Sequence, residues 1–235
     1  MSSEKVSLKL DWCSHEAAKY ACEHWHYSKT IPANKSNYIG VWEDDKYIGA
    51  IIFGLGASPS LGKKYNLGIF EVCELTRVAL NAHKTEVTRM IKIAIKMIKN
   101  KNKGIRLIIS FADTFHGHHG GIYQGGGWIF TGETQAGEML EINGELIDPR
   151  RFNGHGHNKK KPIPANAKKI KTTPKYRYLM PLDEAMRKQI ECLRKPYPKK
   201  TSGGSVTVAQ TAIQPERGGS IPTSSQIESQ GFTNE

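Results

Sequence analysis

The stretch 105-IRLIISFADTFHGHHGGIYQGGGWIFTG-132 decides the predicted fold, because it sets a chemically rich turn between two apolar strands. The near-continuous apolar run of residues 105–112 predicts a buried strand, and residues 128–132 predict a second one. Asp113 follows the first strand directly, and Tyr123 lies in the glycine-rich segment before the second. Since α/β sheets hold ligands at the carboxyl ends of their strands, we expect a functional site at Asp113.

Hydrophobic periodicity on either side of this stretch predicts an alternation of helices and strands. Ser14 is expected to cap a helix that ends near His26, and Thr85 or Asn81 to cap a long helix that ends near Asn100. We therefore predict an α/β fold, built on a mixed α+β sheet with helices on both faces. The other predicted elements are strands at 6–10, 37–43, 46–56, 70–80, 137–147 and 176–182, a short helix at 120–124, a helix at 183–195, and irregular structure at 148–175.

The chain has 235 residues, a length that suits one domain with an appendage, and we expect residues 1–200 to form that domain. Residues 201–235 are rich in Ser, Thr, Gly and Gln and contain a single Phe. Such a composition buries too little apolar surface to offset the entropy lost on ordering. Residues 201–235 are therefore predicted to be a disordered tail.

The net charge of +12 is concentrated in residues 151–200, which hold 15 Lys and Arg against 3 acids. Tyr176, Tyr178 and Tyr197 are interleaved with these cations, a mixture that suits phosphates and bases. A basic lobe over residues 148–200 that contacts nucleic acid is one interpretation, and a merely solvated basic surface is the other. The candidate nucleic-acid contacts are Arg150, Arg151, Lys159, Lys160, Lys161, Lys175 and Arg177.

The four cysteines form no CxxC pair, which indicates a reducing cytoplasm rather than a disulfide framework. The first residues contain no apolar stretch of signal-peptide length, and no run of about 18 apolar residues occurs. We therefore expect neither export nor a membrane partner.

Two residues of the opening stretch could carry acid–base chemistry. Asp113 could act as a general base or hold a nucleophile in place, and its structural alternative is a helix cap before Thr114. Tyr123 could donate a proton to a leaving group or polarise a carbonyl, and its structural alternative is a half-buried packing residue. Gly120 and Gly121 would allow a ligand to approach the backbone closely.

His116 and His118 are the candidate metal ligands, since imidazoles two residues apart can share an ion in an extended segment. Contacts to phosphate or to polar backbone groups are the alternative role for both. No distant set of ligands accompanies them, apart from the two histidines in residues 155–158.

Further polar residues lie in the N-terminal half. Glu74 and Arg77 are three apart in a predicted strand and should point to opposite faces, unless a bulge lies between them. One of them is expected to reach the site, and edge-strand charges are the alternative. His26, Tyr27 and Ser28 follow a helix end, where a histidine is either a catalytic group or a partner of the helix dipole.

With these elements in order, the chain resembles the GNAT N-acyltransferase superfamily. In that superfamily a tyrosine in the helix before a Gly-Trp or Gly-Phe strand often acts as general acid, which corresponds to Tyr123. The resemblance implies a GNAT-like central mixed sheet flanked by helices, here with a basic C-terminal extension and the tail.

A closer resemblance is to the bacteriophage Mom-type DNA modification family, which is GNAT-related. It implies a transferase that adds a carbamoylmethyl (acetamido) group to N6 of adenine in phage DNA and so blocks host restriction. By position the resemblance implies functional roles for His26, Tyr27, Asp113 and Tyr123, and also for Ser28 and Arg77. The segments that carry it are HWHYSKTIP (24–32), ELTRVAL (74–80), SFADTFHGHHGGIYQGGGWIFTG (110–132), DPRRF (148–152) and KYRYLMPLD (175–183).

This assignment implies double-stranded DNA as partner and the host cell cytoplasm as location. Adenine N6 is hidden in a duplex, so that such an enzyme must expose the base and hold the backbone. The resemblance also raises Fe(II) as a cofactor, while the oligomeric state is left open, with a homodimer as one option.

The sequence departs from the GNAT pattern at residues 80–88, where the loop that binds the donor pyrophosphate should contain glycines. The chain has LNAHKTEVT there, so an acyl-CoA donor bound in the ordinary way is not expected. Two alternative functions stay open. One is a GNAT N-acetyltransferase that uses acetyl-CoA on a small amine or an aminoacyl-RNA, and the other is a nucleic-acid-binding protein without catalysis.

Overall fold

A computed structural model describes residues 6–56, 58–153 and 160–199. Seven strands form one mixed sheet in the order β1-β2-β3-β4-β5-β10-β6, and three form a small sheet in the order β8-β7-β9. The strands are β1 (Leu8–Trp12), β2 (Ser36–Glu43), β3 (Lys46–Gly54), β4 (Val72–Leu80), β5 (Leu107–Ala112), β6 (Ile129–Glu133), β7 (Glu138–Ile142), β8 (Glu145–Ile147), β9 (Lys168–Lys171) and β10 (Tyr176–Pro181), and the helices are α1 (His15–Trp25), α2 (Val87–Lys101), α3 (Gly121–Gly125) and α4 (Glu184–Glu191).

Both faces of the large sheet are covered, which confirms the predicted mixed α/β architecture. On one face, the apolar stripe of α2 and the aromatic residues around α3 pack against alternate residues of β2 to β5. On the other face, α1 packs over β2 to β4, and α4 packs over β5, β6 and β10. We call these the α2 face and the α1/α4 face. Because α1 and α4 cover different strands of the α1/α4 face, the middle of the sheet remains available between them.

The strands β4 and β5 separate along their length, and this separation positions the site. They are the parallel pair of the large sheet, and their pairing covers only Val72–Glu74 and Leu107–Ile109. Beyond that point β5 keeps its antiparallel pairing with β10 as far as Ala112. The carboxyl ends of β4 and β5 therefore lose their pairing beyond Glu74 and Ile109, and we call the gap between these strand ends the cleft.

A β-bulge in β4 changes the predicted orientation of two charged residues. Ile52 of β3 pairs with Arg77 and the next residue, Phe53, pairs with Leu75, so that Thr76 is the extra residue. An extra residue shifts the alternation of side chains by one step. Glu74 and Arg77 consequently lie on the same α1/α4 face, so the prediction of opposite faces was wrong and the bulge between them is confirmed.

The helix starts were predicted with mixed success. Ser14 caps α1 and its Oγ accepts a hydrogen bond from Ala17 N at 3.2 Å, as predicted. The helix α2 instead has Glu86 as its cap, so the prediction of Thr85 or Asn81 was wrong. No helix in the part of the chain that the structure describes is both long and apolar enough to cross a membrane.

The small sheet lies within an insertion between β6 and β10. Its strand β9 occupies part of the segment predicted to be irregular, because Lys168 and Lys171 pair with Glu141 and Glu138 of β7. The insertion leaves and rejoins the large sheet at one point, where Thr134 N donates to Lys175 O at 2.9 Å and Lys175 N donates to Thr134 Oγ1 at 2.9 Å. The predicted tail at 201–235 lies outside the described residues.

Candidate active site

The end of α1 brings three predicted residues to the carboxyl end of β5. Small side chains pack α1 closely against the α1/α4 face, and the helix ends at Trp25. The chain then turns at Lys29, which adopts a left-handed φ of 50°. His26, Tyr27 and Ser28 thus lie beside the turn that follows β5, and Tyr27 Oη donates to Asp113 Oδ2 at 3.5 Å.

Asp113 is buried and has contacts on both carboxylate oxygens. Its Oδ2 lies 2.8 Å from Lys175 Nζ, and its Oδ1 accepts a hydrogen bond from Phe115 N at 3.2 Å and lies 3.5 Å from His116 Nδ1. Burial alone would raise the pKa of Asp113, but the contacts with His116 and Lys175 hold it well below its usual range. Asp113 is therefore a stable carboxylate, and its predicted role as a helix cap is confirmed at the same time.

The turn after Asp113 is tied to the residue before Lys175. Thr114 Oγ1 donates to Pro174 O, and it lies 2.6 Å from Thr173 Oγ1. These contacts fix the start of β10 against the end of β5. Lys175, which we predicted as a nucleic-acid contact, is consequently placed as the ionic partner of Asp113.

Tyr27 forms the centre of an aromatic group. Its ring centroid lies 4.3 Å from that of His26, 4.4 Å from that of His116 and 5.1 Å from that of His118. The side chain of Tyr27 is nevertheless 43% exposed, so part of the ring remains open to a ligand. Burial of the hydroxyl and the neighbouring Asp113 raise the pKa of Tyr27, so the phenol stays protonated.

His26 is held as a neutral imidazole in one tautomer. Ser28 N donates to His26 Nδ1 at 3.1 Å, and Ser28 Oγ lies 2.8 Å from the same nitrogen. An acceptor at Nδ1 places the proton on Nε2. Burial and the charge of Arg77 lower the pKa of His26 to about 3. His26 can therefore donate a hydrogen bond from Nε2, and it is a poor proton acceptor at neutral pH.

Arg77 and Glu74 lie along the floor of the cleft. Arg77 Nε donates to Thr30 O at 3.3 Å and its Nη1 donates to Thr76 O at 2.8 Å, so it holds the loop after Ser28 in place. Glu74 is the last residue of β4 that pairs with β5, and an added Cβ on Gly56 would lie 2.9 Å from Glu74 Oε2.

Tyr123 lies on the α2 face of the separating strands and is buried. Its hydroxyl lies 2.8 Å from Ser110 Oγ, which donates to Leu75 O at 2.8 Å. Its ring lies 5.1 Å from the rings of both Trp128 and Tyr178. Burial raises the pKa of Tyr123 to about 12. The Ser110 hydroxyl thus joins β5 to β4 at the base of the cleft, and the Tyr123 hydroxyl contacts it there and does not contact Asp113.

The two glycines of the predicted site approach side chains of the protein itself. A Cβ added to Gly120, whose φ is +85°, would lie 2.3 Å from the Tyr178 ring, and one added to Gly121 would lie 3.1 Å from His119 Nε2. The Tyr178 hydroxyl donates to His119 O at 2.6 Å. The close approach that we expected for a ligand is made by Tyr178 instead.

The histidines do not assemble a metal centre with other described residues. Among residues 6–56, 58–153 and 160–199, no three His, Cys, Asp or Glu side chains are grouped to hold an ion. His116 Nδ1 is buried without a hydrogen-bond partner, but the nearby Asp113 is already paired with a Lys175 ammonium. The described residues therefore do not fit an Fe(II) site built from His116 and His118, and residues 155–158 lie outside them.

The loop before α2 does not fit the pyrophosphate of an acyl-CoA. Glu43 Oε2 accepts from Lys84 N at 2.8 Å, and Glu43 Oε1 accepts from Thr85 N at 2.7 Å. These two amides belong to the segment 80–88, at which the GNAT resemblance places the donor pyrophosphate. Glu43 is buried, and although burial favours its neutral form, the hydrogen bonds from this loop lower its pKa. The chain's own carboxylate thus occupies the anion position.

The remaining predicted DNA contacts are spread over the surface. Arg150 forms a bidentate pair with Asp148, with Nε at 3.0 Å from both carboxylate oxygens, and Arg177 is half-buried on β10. Lys159 lies outside the described residues. Arg150, Arg151, Lys160 and Lys161 are exposed.

Two features of the site were missed in the sequence. The pairing of Lys175 with Asp113 had no local signal beyond a lysine that precedes a predicted strand. Glu43 was not selected, although an acid at the end of an apolar strand, just before the Asp44-Asp45 turn, is a signal of a buried structural carboxylate.

Comparison with known proteins gives consistent relationships. A model of the Mom protein family matches residues 7–199. The methylcarbamoylase mom of Escherichia phage Mu is 24% identical over 203 residues, which cover 82% of this chain and 84% of the phage protein. Among solved structures, a phosphinothricin N-acetyltransferase candidate has a TM-score of 0.44 at 11% identity and covers 76% of this chain and 100% of its own. An N-acetyltransferase from Staphylococcus aureus Mu50 has a TM-score of 0.40 at 10% identity, with coverage of 77% and 100%.

Proposed function

Since the chain belongs to the Mom protein family, we propose that it is a DNA-modifying transferase that adds a carbamoylmethyl group to N6 of adenine. The relative from phage Mu is named a methylcarbamoylase, which supports a transfer of this kind. The observation that carries the proposal is the Asp113–Lys175 ion pair beside the partly exposed Tyr27 ring. This arrangement combines a fixed charge with a surface on which a base can stack.

The aromatic group around Tyr27 suits a base that has been turned out of the duplex. Flipped bases are held by stacking and by hydrogen bonds to their edges. Tyr27 and His118 offer ring faces, and the Nε2 proton of His26 offers a donor to a ring nitrogen of adenine. The neutral state of His26 also avoids a second positive charge beside Arg77.

The reaction requires N6 to form a bond to carbon while the bond between that carbon and its leaving group breaks. As the new bond forms, N6 becomes acidic, and a carboxylate of low basicity can then accept its proton. Asp113 is the nearest anion to the Tyr27 ring, and Lys175 and His116 hold it in position. Tyr27 and Tyr123 both stay protonated at neutral pH, and Tyr27 is the one that contacts Asp113.

Nucleoside mass spectrometry tests this proposal. DNA from cells that produce the full chain should contain a modified deoxyadenosine, and DNA from cells that produce Asp113→Asn should not. The substitution keeps the shape of the side chain, so that a matched melting temperature excludes unfolding as the cause. Unmodified deoxyadenosine in cells with folded wild-type protein would contradict the proposed function.

A further inference from the structure

Three cations from separate elements gather on the α1/α4 face, some distance along β10 from Asp113. Lys64 lies in the 3-10 helix Lys63–Tyr65, and Gln189 of α4 donates to Tyr65 O at 2.7 Å to hold that helix. Arg177 lies on β10 opposite Phe111. Lys195 follows α4, and its backbone N donates to Phe130 O of β6 at 2.9 Å.

The absence of a side chain at Gly132 lets the Lys195 side chain reach across β6. The φ of Gly132 is +98°, and an added Cβ would lie 3.0 Å from Lys195 Nζ. This glycine lies in a bulge of β6 opposite Arg177, since Tyr176 pairs with Glu133 and Tyr178 pairs with Phe130. The bulge thus brings Lys195 and Arg177 to the same side of the sheet edge.

The three cations have no carboxylate partner in the part of the chain that the structure describes. Among residues 6–56, 58–153 and 160–199, no carboxylate lies within 4.0 Å of Lys64, Arg177 or Lys195. Burial lowers the pKa of Lys64, and the positive charges of Arg177 and Lys195 lower it further. The three cations are therefore close enough to repel one another. Lys64 and Lys195 are exposed and Arg177 is half-buried, and an anion bound among the three would relieve the repulsion between their charges.

Two buried hydroxyls beside the cations also lack partners. Tyr65 is 3% exposed and Thr131 is 8% exposed, and neither Tyr65 Oη nor Thr131 Oγ1 has a hydrogen-bond partner among the described residues. Lys64 Nζ lies 5.7 Å from the centroid of the Tyr65 ring, and Thr131 lies in the bulge opposite Arg177. Buried hydroxyls without partners are rare, and two beside one cationic cluster indicate a ligand that supplies acceptors.

We propose that Lys64, Arg177 and Lys195 bind a phosphate of the DNA backbone, with the Tyr65 and Thr131 hydroxyls as neutral donors. The inference rests on the proposed function, because it identifies where the DNA substrate is held. Arg177 is two residues from Lys175, so the two side chains lie on the same face and about 7 Å apart along the strand. One DNA strand can therefore occupy the phosphate site and present a nearby base to Asp113.

Binding of a DNA duplex at several salt concentrations tests the inference. Each phosphate contact contributes about 0.9 to the slope of log affinity against log salt. The double variant Lys64→Gln, Lys195→Gln and the single variant Arg177→Gln should each lose about one unit of slope and bind about tenfold more weakly at moderate salt. The matched control is Lys92→Gln, Lys96→Gln, which removes two exposed lysines from α2 on the α2 face.

An affinity and slope equal to those of the control would overturn the phosphate site while leaving the adenine modification intact, which separates the two proposals. A wild-type chain that binds no duplex would overturn both. A second experiment measures the melting temperature with and without inorganic phosphate. If it raises the melting temperature of the wild type but not of the double variant, and DNA affinity is the same in both, the site takes free phosphate and the DNA assignment is wrong.

Discussion

Lys175 Nζ lies 2.8 Å from Asp113 Oδ2, where Asp113 directly follows β5 and Lys175 directly precedes its antiparallel neighbour β10. The pair is asymmetric, since Asp113 is buried and the Lys175 side chain is 45% exposed. Solvent therefore reaches the ammonium more readily than the carboxylate, which Tyr27 also contacts. The candidate active site therefore holds one buried negative charge and one partly exposed positive charge side by side.

Lys175→Gln should strongly reduce modification while affecting DNA affinity little. Loss of the ammonium removes one of the groups that hold the pKa of Asp113 below its usual range, so that pKa should rise. Activity that needs the ionised carboxylate should then begin to fall at a higher pH than in the wild type, so that the acidic limb of the pH–rate profile moves to higher pH. We also expect a loss of about a hundredfold at neutral pH, because Asp113 loses the ammonium that holds it in position, and the measurement is modified deoxyadenosine over time.

Lys171→Gln, on the exposed side of β9, provides the control for this experiment. Equal losses in the two variants, without a shift of the acidic limb, would identify Lys175 as a DNA contact alone.

His26 should make the protein less stable as the pH falls from 7 to 5. Its folded pKa of about 3 lies below the value of about 6.5 in the unfolded chain. Between these values the unfolded state binds a proton that the folded state does not, so stability rises with pH in this window. The His26 contribution between pH 7 and pH 5 is about 2 kcal/mol.

Urea unfolding at both pH values measures this effect. His26→Gln should show a pH dependence smaller by about that amount, whatever the remaining histidines contribute. An undiminished pH dependence in the variant would show that His26 is protonated in the folded protein.

Tyr123→Phe separates a structural from a catalytic hydroxyl. The Tyr123 hydroxyl is paired with Ser110, so its loss should lower the free energy of unfolding by about 1 kcal/mol. Ser110→Ala should give a similar loss, and the double variant should lose less than the sum because the two share one contact. We expect Tyr123→Phe to keep far more modification activity than Asp113→Asn. A loss as large as that of Asp113→Asn would restore Tyr123 as the general acid.

Acetyl-CoA should not bind the wild-type chain. The Lys84 and Thr85 amides are already used by Glu43, so titration calorimetry should show no saturable heat. Glu43→Ala should lower the free energy of unfolding by about 1–3 kcal/mol, because it leaves two amides of this loop without acceptors. Saturable binding of acetyl-CoA to the wild type would instead favour an acetyltransferase.

The elements with strong local patterns were predictable. Ser14 and the helical spacing after it defined α1, and the apolar run before Asp113 defined β5. The strand β9 was missed because its lysines have low strand propensity and are stabilised by acids of β7. That pairing depends on the tertiary fold and leaves no periodic signal.

The site was predicted as a set of residues but not as a set of contacts. His26, Tyr27 and Asp113 were selected, and the structure brings them together through Tyr27. Tyr123 was also selected as a proton donor, and that role stays a prediction, since its hydroxyl contacts Ser110 rather than this group. Which face a side chain occupies near a bulge or a splayed strand pair is set by register, and register is a nonlocal property.

The two hydrogen bonds between Thr134 and Lys175 couple the position of the insertion to the candidate active site. The two ends of the insertion that carries the small sheet meet at Thr134 and Lys175, and the ammonium of Lys175 is the ionic partner of Asp113. A displacement of the small sheet relative to the large sheet would therefore act on Lys175, and through its ammonium on the Asp113 carboxylate.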